Sequence, residues 1–457
     1  MIVVSNRGPF QFAQRSDGTF AAQRGSGGVV SALMPLLAKR DDATWVAAAI
    51  SDDDRAAVEA GTPTPEGGVR ARLLPLDPQV SRLHYDVVSN GVLWLLHHGL
   101  FDLVRRPRFD RRFREAWEGY VSVNRSFTDA VLDVAGPGET VLVQDYQLTL
   151  VPEMLRESRR DLHVVHFTHT PFCGPSSVRV LPEYVGRAIC GSMAGTTTGF
   201  HTERWARAFR ASAQEVLGSG AAVGRTFAAS FGPDPVALAA EAGTPEVAAE
   251  LDALESRVGD RQLIVRSDRM ELSKNIVRGF VAYDLLLEEH PELRERVTFA
   301  ALLNPSRQTL PEYQAYRNEV EQAAARVNER WATGDWEPVI LDARDNYARS
   351  VAGLVRSDVL FVNPVRDGLN LVALEGPFVN RRDGVLCLSR EAGAYDALHH
   401  ACLTVHPFDI VQTAASLHEA LVMDRGERAL RAAELRAHAQ ANPPAAWLET
   451  LLRQAQL

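Results

Sequence analysis

The sequence is poor in cysteine, and this scarcity argues against a fold held together by disulfides. Among 457 residues there are four cysteines, Cys173, Cys190, Cys387 and Cys402, and no two of them have the spacing of a CxxC or zinc-ligand motif. The histidines and acidic residues likewise show no spacing typical of a metal site. We therefore expect a protein of a reducing compartment that needs neither a metal nor a cofactor.

Long apolar runs and an excess of positive charge are also missing. No stretch approaches the roughly 18 apolar residues of a membrane helix, and the chain opens on the strand-like run Met1–Ser5 rather than on a secretory leader. The formal net charge of -9 gives no general attraction for nucleic acid or an anionic membrane. These features predict a cytoplasmic protein without nucleic-acid or membrane partners, in which local cationic groups hold any phosphate.

Short β-branched runs alternate with amphipathic stretches along the sequence. One helical face, for example, is formed by Ile276, Phe280, Tyr283 and Leu287. Such alternation is typical of doubly wound parallel sheets with helices on both faces. The runs expected as buried parallel strands are Ile2–Ser5, Thr140–Asp145, His163–Thr170, Leu263–Ser267, Val297–Leu303, Val359–Asn363, Val385–Leu388 and Cys402–His406.

The length of the chain indicates two domains, because a single core stops growing at roughly 250–300 residues. The stretch Gly232–Glu246 is rich in glycine and proline and suits a hinge. We therefore expect an α/β protein with two Rossmann-like, doubly wound parallel-sheet domains facing a central cleft. Their expected ranges are 1–235 and 236–444, and a last helix within 445–457 is expected to cross back to the first domain.

A glycine-rich loop leads into the first predicted helix. In the sequence Gly25-Ser-Gly-Gly28, the glycine pair Gly27 and Gly28 lets unpaired backbone N–H groups approach a phosphate closely. A flexible loop capped by glycine is an equal alternative. Val30 occupies the place of the last glycine of the dinucleotide fingerprint, which disfavours a Rossmann oxidoreductase.

Two cations occupy the loop that leaves the predicted strand Leu263–Ser267. Arg269 and Lys274 can converge on one diphosphate, where they would offset the negative charge that develops on a departing nucleotide. The alternative is a pair of ordinary solvated side chains. If the two converge, they do the work that a bound metal does in other sites.

A second polar segment, Pro364–Glu375, directly follows another predicted strand. A helix is expected to begin near Asn370, which would leave the first amides of the helix unpaired. The alternative is an N-cap with an acidic first turn, and this explains Asn370 but not a buried-looking glutamate. The candidate ligands are the amides of Leu371 and Val372 for a phosphate, Asp367 for sugar hydroxyls and Glu375 for a ribose diol.

Polar groups also follow two predicted strands of the first domain. Asp145 and His169 stand at these strand ends and would face one cleft, although a structural histidine is the more frequent case. Tyr85 and Trp94 are either core aromatics or rings that stack on a sugar. The run Ser51–Asp54 is interpreted as a helix cap rather than a metal motif, because serine suits the N-cap and acids favour the first turn.

Eight motifs follow one another in a characteristic order over nearly the whole chain. They are Ser5-Asn-Arg-Gly-Pro, Ser26-Gly-Gly, Ser89-Asn-Gly-Val-Leu-Trp, Val143-Gln-Asp-Tyr-Gln-Leu, His169-Thr-Pro-Phe, Asp268-Arg-Met-Glu-Leu-Ser-Lys, Arg366-Asp-Gly-Leu-Asn-Leu-Val and Ser389-Arg-Glu-Ala-Gly-Ala. In this order they resemble the trehalose-6-phosphate synthase family, glycosyltransferase family 20. The resemblance implies a GT-B fold and a retaining transfer of glucose from a nucleoside diphosphate to glucose 6-phosphate, giving α,α-trehalose 6-phosphate. Front-face substitution, which needs no protein nucleophile, is implied as the mechanism.

The resemblance also implies a role for each matching residue. Catalysis would depend on Asp145, His169, Arg269, Lys274 and Asp367. The donor would be held by Gly27, Gly28, Arg269, Lys274, Gly368, Leu369, Asn370, Leu371, Val372 and Glu375. The acceptor would be held by Arg7, Tyr85, Trp94, Asp145 and Arg307.

The sequence departs from the family pattern at several positions. Ala47-Ala48 replaces a Gly-Trp pair of the acceptor site, Leu374 replaces a lysine, and Glu271-Leu272 replaces an aspartate and a tyrosine. The stretch Glu271–Gly279 resembles members that prefer GDP-glucose to UDP-glucose. Two alternatives for the function stay open: another phosphorylated acceptor such as a cyclitol phosphate, and a nucleotide-sugar-binding regulator without turnover. The oligomeric state, including assembly as a homo-oligomer, also stays open.

Overall fold

The chain forms two compact units. The computed structural model describes residues 1–25, 28–62 and 69–457, so that Gly27, one of the predicted phosphate ligands, lies outside the described residues. The first unit comprises Met1–Phe231 and Pro444–Leu457, and the second comprises Gly232–Pro443. Each unit is built on a parallel sheet.

A seven-stranded parallel sheet is the centre of the first unit. The strands of this unit are β1 (Ile2–Val4), β2 (Phe10–Gln14), β3 (Phe20–Arg24), β4 (Thr44–Ala48), β5 (Arg70–Leu74), β6 (Thr140–Gln144), β7 (His163–Thr168), β8 (Thr197–Phe200) and β9 (Thr226–Ala228). The sheet has the order β5-β4-β1-β6-β7-β8-β9, and β2 pairs with β3 in a separate antiparallel hairpin. The strand order reverses between β1 and β6, which makes their carboxyl ends the switch point where ligands of such sheets bind.

Helices pack on this sheet, and one of them is wound more widely than an α-helix. Residues Leu83–Trp94 form a π-helix that runs directly into a short α-helix. The α-helices are α1 (Gly28–Leu37), α2 (Asp52–Glu59), α3 (Pro78–Arg82), α4 (Leu95–His97), α5 (Arg111–Val134), α6 (Val151–Ser158), α7 (Pro175–Val178), α8 (Glu183–Ala194) and α9 (Glu203–Leu217).

The acidic run before and within α2 forms a capping box. The hydroxyl of Ser51 accepts a hydrogen bond from the amide of Asp54 at 2.9 Å, and the Asp54 carboxylate accepts one from the amide of Ser51 at 2.9 Å. Asp54 is 2% exposed and also accepts a bond from the amide of Phe12 at 2.6 Å. Both oxygens of the Asp54 carboxylate thus accept hydrogen bonds from backbone amides. The capping interpretation of the acidic run is confirmed.

The second unit has a six-stranded parallel sheet. Its strands are β10 (Gln262–Arg269), β11 (Val297–Asn304), β12 (Val339–Asp342), β13 (Val359–Val362), β14 (Val385–Ser389) and β15 (Leu403–Val405), in the order β12-β11-β10-β13-β14-β15. Here the order reverses between β10 and β13. The helices are α10 (Pro235–Glu241), α11 (Pro245–Val258), α12 (Ile276–Glu289), α13 (Pro311–Trp331), α14 (Tyr347–Arg356), α15 (Val372–Val379), α16 (Tyr395–Leu398), α17 (Ile410–Val422) and α18 (Arg425–Ala441).

The predicted hinge stretch Gly232–Glu246 begins where the second unit begins, and most of its residues are helical. Two of its three prolines begin helices, because proline fits the first helical position, where an N–H would be unpaired. Pro235 follows the N-cap Asp234, whose carboxylate accepts bonds from the amides of Val236 and Ala237 at 3.0 Å. Pro245 begins α11 in the same way after an N-cap threonine.

The last helix, α19 (Pro444–Ala455), packs against β6, β7 and β8 of the first unit. Trp447 is 2% exposed, and its ring lies edge-on to Phe167 with 5.1 Å between the ring centroids. This aromatic contact explains why the chain terminus groups with the first unit. Within the described ranges, no helix has both the length and the apolar character needed to cross a bilayer.

Candidate functional site

In the second unit, the two polar loops predicted as donor ligands meet at the switch point. Because β10 and β13 are neighbours, the loops that follow them lie side by side. The Nζ atom of Lys274 lies 2.7 Å from Oδ2 of Asp367 and 3.6 Å from Oδ1 of Asp268. Burial opposes the charge of Lys274, but the carboxylates of Asp367 and Asp268 outweigh it and raise the pKa of Lys274. The amine is therefore a fixed cation, as electrostatic stabilisation of a leaving phosphate requires.

Asn370 organises the loop after β13. Its side-chain amide donates to Oδ2 of Asp367 at 3.1 Å, and its carbonyl oxygen accepts from the amide of Ala373 at 3.2 Å. The backbone of Asn370 is left-handed, with a φ of 77°, which asparagine tolerates better than most residues. Helix α15 consequently begins at Val372, two residues after the predicted start, with Asn370 capping it from outside.

The neighbouring residues of this loop fix its backbone. The carbonyl of Leu369 accepts a bond from the amide of Ala394 at 2.8 Å. A Cβ atom on Gly393 would lie 1.9 Å from the carbonyl oxygen of Gly368, so the two segments are in close backbone contact. Leu371 and Val372 stand at the start of α15, where helix amides lack intrahelical partners. These residues can present backbone N–H groups to an anion.

Glu375 is a carboxylate in the first turn of α15. Among the residues that the structure describes, none donates a hydrogen bond to it or forms an ion pair with it. Burial raises the pKa of Glu375 to about 7, because a charged group without a partner is costly to desolvate. Such a carboxylate is suited to accept hydrogen bonds from the hydroxyls of a ligand.

Glu271 joins two arginines that the sequence assigned to different substrates. Its Oε1 atom lies 2.9 Å from Nη1 of Arg269 and 2.8 Å from Nη1 of Arg307, and it accepts a bond from the Ser306 hydroxyl at 2.9 Å. Glu271 is 1% exposed. Although burial opposes ionisation, the charges of Arg269 and Arg307 hold the pKa of Glu271 down at about 2. The two guanidinium groups are thus close neighbours that share one carboxylate oxygen.

Arg266 supports the same loops from inside the sheet. It is completely buried, and it donates to Asp268, to the carbonyl of Lys274 at 2.7 Å and to the side chain of Asn363 at 2.7 Å. A buried arginine in the interior of a strand is expensive unless its hydrogen bonds are made. Arg266 therefore ties the end of β13 to the loop that carries Lys274.

In the first unit, Asp145 and His169 follow neighbouring strands, β6 and β7, and they are in contact. The amide of His169 donates to Oδ1 of Asp145 at 3.1 Å. Asp145 has a φ of 70°, a left-handed conformation uncommon for a residue with a side chain. Both side chains are partly exposed, so the structure brings together this predicted pair at the carboxyl edge of the sheet.

The imidazole of His169 is held by hydrogen bonds at both nitrogens. Its Nε2 atom lies 2.9 Å from Oε1 of Gln144, and its Nδ1 atom lies 3.1 Å from Nε2 of His201. Burial, reinforced by His201 and His166, lowers the pKa of His169 well below its usual value. The ring of His169 is therefore neutral at neutral pH.

The predicted acceptor ligands are divided between the two units. In the first unit, Arg7 is exposed after β1, Tyr85 is partly exposed on the π-helix, and Trp94 is 2% exposed and stacks on His98 with 4.1 Å between the ring centroids. Trp94 is therefore a core ring of its unit. In the second unit, Arg307 follows β11 with a φ of 43°. Of the glycine pair, the structure describes Gly28, the first residue of α1.

Several residues of these arrangements were not singled out from the sequence. They are Gln144, His201, Arg266 and Ser306. His201 follows β8 just as His169 follows β7, so the strand-end rule used for His169 would have found it. Arg266 interrupts an apolar run, and this was the available signal for a buried charge. Ser306 gave no signal, since its contact depends on the path of an irregular loop.

Comparison with known proteins identifies relatives along the full chain. Residues 1–456 match the model of glycosyltransferase family 20. The α,α-trehalose-phosphate synthase [UDP-forming] of Schizosaccharomyces pombe is 31% identical over 448 residues, which cover 94% of this chain and 85% of that protein. The α,α-trehalose-phosphate synthase [UDP-forming] 1 of Arabidopsis thaliana is 30% identical over 470 residues. The match covers 99% of this chain but only 49% of the Arabidopsis protein, so this chain spans about half the length of that relative.

A solved structure shows the same fold. The crystal structure of an α,α-trehalose-phosphate synthase (UDP-forming) from Burkholderia vietnamiensis has a TM-score of 0.85 and 29% sequence identity, covering 100% of this chain and 99% of that chain. Together with the two parallel sheets, this likeness confirms the predicted fold class, an α/β protein of the GT-B type with two Rossmann-like units.

Proposed function

Because the chain belongs to glycosyltransferase family 20, we propose that it transfers glucose from a nucleoside diphosphate glucose to glucose 6-phosphate, giving α,α-trehalose 6-phosphate. The names of its relatives support this reaction with a UDP-linked donor, while the stretch Glu271–Gly279 resembles family members that prefer GDP-glucose. One structural observation carries the proposal. At the carboxyl edge of the second sheet, Lys274, Arg269 and Arg307 converge on carboxylates, in a protein whose formal net charge is -9.

The proposed mechanism retains the configuration at the anomeric carbon. The bond from glucose C1 to the β-phosphate oxygen breaks, a bond to the acceptor's anomeric hydroxyl oxygen forms on the same face, and the departing phosphate takes the hydroxyl proton. Lys274 and Arg269 would neutralise the charge that develops on the departing diphosphate, which is the largest electrostatic demand of the step. Asp367, Asp145 and neutral His169 would position the donor glucose.

A product assay tests the reaction. The purified protein is incubated with UDP-, GDP- or ADP-glucose and a panel of sugar phosphates, and the products are identified by mass spectrometry and NMR. We expect α,α-trehalose 6-phosphate from glucose 6-phosphate. If product forms only with a cyclitol phosphate, the proposed acceptor glucose 6-phosphate is wrong and the cyclitol phosphate takes its place. If the protein binds or slowly hydrolyses the donor but forms no disaccharide, the result supports a nucleotide-sugar-binding regulator.

The two lysines of the chain provide a matched pair of variants for the proposed charge role. Lys274 is paired within the site, whereas Lys39 is exposed in the turn after α1. We expect Lys274→Ala to lower kcat/KM by about two to three orders of magnitude and Lys39→Ala to leave it unchanged. Equal activity of the two variants would remove Lys274 from the mechanism.

A further inference from the structure

Three side chains of the second unit meet far from the proposed site. His290 follows α12, Glu292 lies in the 3-10 turn Pro291–Leu293, and His418 is on α17. Nδ1 of His290 lies 3.1 Å from Oε1 of Glu292, and the rings of His290 and His418 are stacked with 3.7 Å between their centroids. Each of the three residues offers one potential ligand atom, and these three atoms lie within 4.8 Å of one another.

This combination of groups has the chemistry of a transition-metal site. Two imidazoles and one carboxylate are a common ligand set for Zn²⁺, and they leave one coordination position for water. With bonds of about 2.0–2.1 Å, ligand atoms in a tetrahedral site lie roughly 3.4 Å apart. Rotation of the three partly or fully exposed side chains, including separation of the two stacked rings, would bring the atoms from their present separation to that value.

The ring of His418 is available for such a bond. It is partly exposed, and no hydrogen bond to its ring nitrogens occurs in the part of the chain that the structure describes. At neutral pH an ordinary imidazole is uncharged and offers a lone pair. The two rings are nearly parallel, with 9° between their planes, so their in-plane lone pairs do not yet converge on one point. Binding of an ion would require the rings to leave the stack and turn towards each other.

The position of the cluster excludes a direct role in glucosyl transfer. Lys274 precedes α12 at the carboxyl edge of the sheet, whereas His290 follows the same helix and precedes β11 at the opposite edge. The 14 residues of α12 separate the two places by about 21 Å. An ion at the cluster would instead join the ends of α12 and α17, two helices that pack against each other.

We propose that His290, Glu292 and His418 bind one divalent transition-metal ion of the Zn²⁺ class, which fastens the C-terminal end of α12 to α17. The ion would stabilise the second unit and would leave the transfer step unchanged. This site goes beyond the proposed function, and either can fail without the other.

Titration of the full-length protein with Zn²⁺ alone tests the site. Protein freed of metal with EDTA and then of EDTA is titrated calorimetrically, and its thermal unfolding is followed with and without Zn²⁺. We expect one ion per chain and a rise in Tm of roughly 5–10 °C at a free-ion concentration about a hundredfold above Kd. Binding of Co²⁺ should give the absorption spectrum of a tetrahedral site with nitrogen and oxygen ligands.

Variants assign the binding to these residues. His418→Ala and His290→Ala should each weaken Zn²⁺ binding by at least about tenfold and reduce the Zn²⁺-dependent rise in Tm. His400→Ala is the matched control, because His400 is an exposed histidine of the same unit that pairs with Glu434 at 2.8 Å. The proposal is overturned if His418→Ala and His400→Ala bind Zn²⁺ with equal affinity while their metal-free Tm values stay near that of the parent. It is also overturned if the parent protein does not bind Zn²⁺ at a free-ion concentration of about 0.1 mM.

Discussion

Glu375 shows how a single side chain can make donor binding depend on pH. Its pKa of about 7 means that the group is mostly protonated below that pH and mostly ionised above it. A carboxylate accepts the two hydrogen bonds of a ribose diol, whereas a carboxylic acid must give up part of that capacity. Donor binding should therefore favour the ionised form and release a proton when it takes place below pH 7.

We predict that the donor KM rises by about tenfold between pH 8 and pH 6, in proportion to the lost fraction of ionised Glu375. Glu375→Gln should raise the donor KM at pH 8 by about tenfold or more, leave kcat nearly unchanged and remove this part of the pH dependence. Steady-state kinetics of both proteins over this pH range provide the measurement. A normal donor KM in Glu375→Gln would refute the ribose role.

Glu271 has the opposite character, since its pKa is lowered to about 2 by the arginines that it joins. Its favourable contribution is present above the ordinary pKa of glutamate and is lost as the pH falls towards 2. Removal of the charge leaves Arg307, whose side chain is 8% exposed, without its carboxylate. A buried cation left in this way costs about 3–5 kcal/mol.

We predict that Glu271→Gln lowers the free energy of unfolding of the second unit by about 3 kcal/mol and that pyrophosphate raises the Tm of this variant more than that of the parent, because the anion replaces the missing charge. Thermal unfolding with and without pyrophosphate measures both effects. Glu427→Gln is the control, because the exposed pair of Glu427 with Arg431 on α18 contributes only about 0.5 kcal/mol. If pyrophosphate raises the Tm of Glu271→Gln by no more than it raises the Tm of the parent, the explanation by a shared carboxylate charge is contradicted.

The π-helix Leu83–Trp94 depends on a residue without a side chain. A Cβ atom on Gly91 would lie 2.9 Å from the carbonyl oxygen of Asp86, closer than a carbon and a backbone oxygen tolerate. The same helix carries Tyr85, a predicted ligand of the acceptor phosphate. A distortion that starts at Gly91 would therefore reach that ligand.

We predict that Gly91→Ala destabilises the first unit by about 1–3 kcal/mol and raises the acceptor KM. Gly191→Ala is the matched control, because Gly191 lies in the ordinary helix α8 and its added Cβ would meet only the Leu217 side chain, at 4.0 Å. That change should be neutral or slightly stabilising, as alanine is the better helix former. Thermal unfolding and acceptor kinetics of the two variants check the prediction, and it fails if both variants behave alike.

Apolar runs predicted several strands of the two parallel sheets. Buried parallel strands such as β11 and β13 are largely apolar on both faces, so their positions could be read from such runs. The strands β4 and β8 are mostly buried as well but were not predicted. The hairpin of β2 and β3 was missed, because its polar, partly exposed residues lack such a run. The π-helix was missed as well, since its sequence does not differ from that of a buried α-helix.

The site was predictable where strand order decides it. The Lys274–Asp367 contact joins residues 93 positions apart, yet both follow neighbouring strands of one sheet, so their meeting could be expected. The double pairing of Glu271 could not, because it depends on Arg307 in a left-handed loop conformation. The His290–His418 contact likewise requires the packing of α12 on α17, which the sequence does not specify.

The charge distribution of the chain bears on its proposed independence from divalent ions. A protein with a formal net charge of -9 gains no long-range attraction for an anionic donor, so the local cations Lys274 and Arg269 must supply the positive charge. In the proposed mechanism these two side chains take the place of Mg²⁺ or Mn²⁺ at the departing diphosphate. The distant cluster His290, Glu292 and His418 complicates a simple chelation test, because EDTA would also remove a stabilising ion from it.

We predict that excess EDTA lowers the Tm of the parent protein but leaves kcat and the donor KM unchanged at temperatures well below that Tm. His418→Ala, which lacks one ligand of the distant cluster, should show unchanged kinetics and little further change in Tm with EDTA. Parallel kinetic and thermal measurements on the two proteins separate the effects. If both proteins lose turnover in EDTA and regain it with Mg²⁺ or Mn²⁺, a divalent ion balances the charge of the departing diphosphate. Lys274 and Arg269 would then only bind the donor.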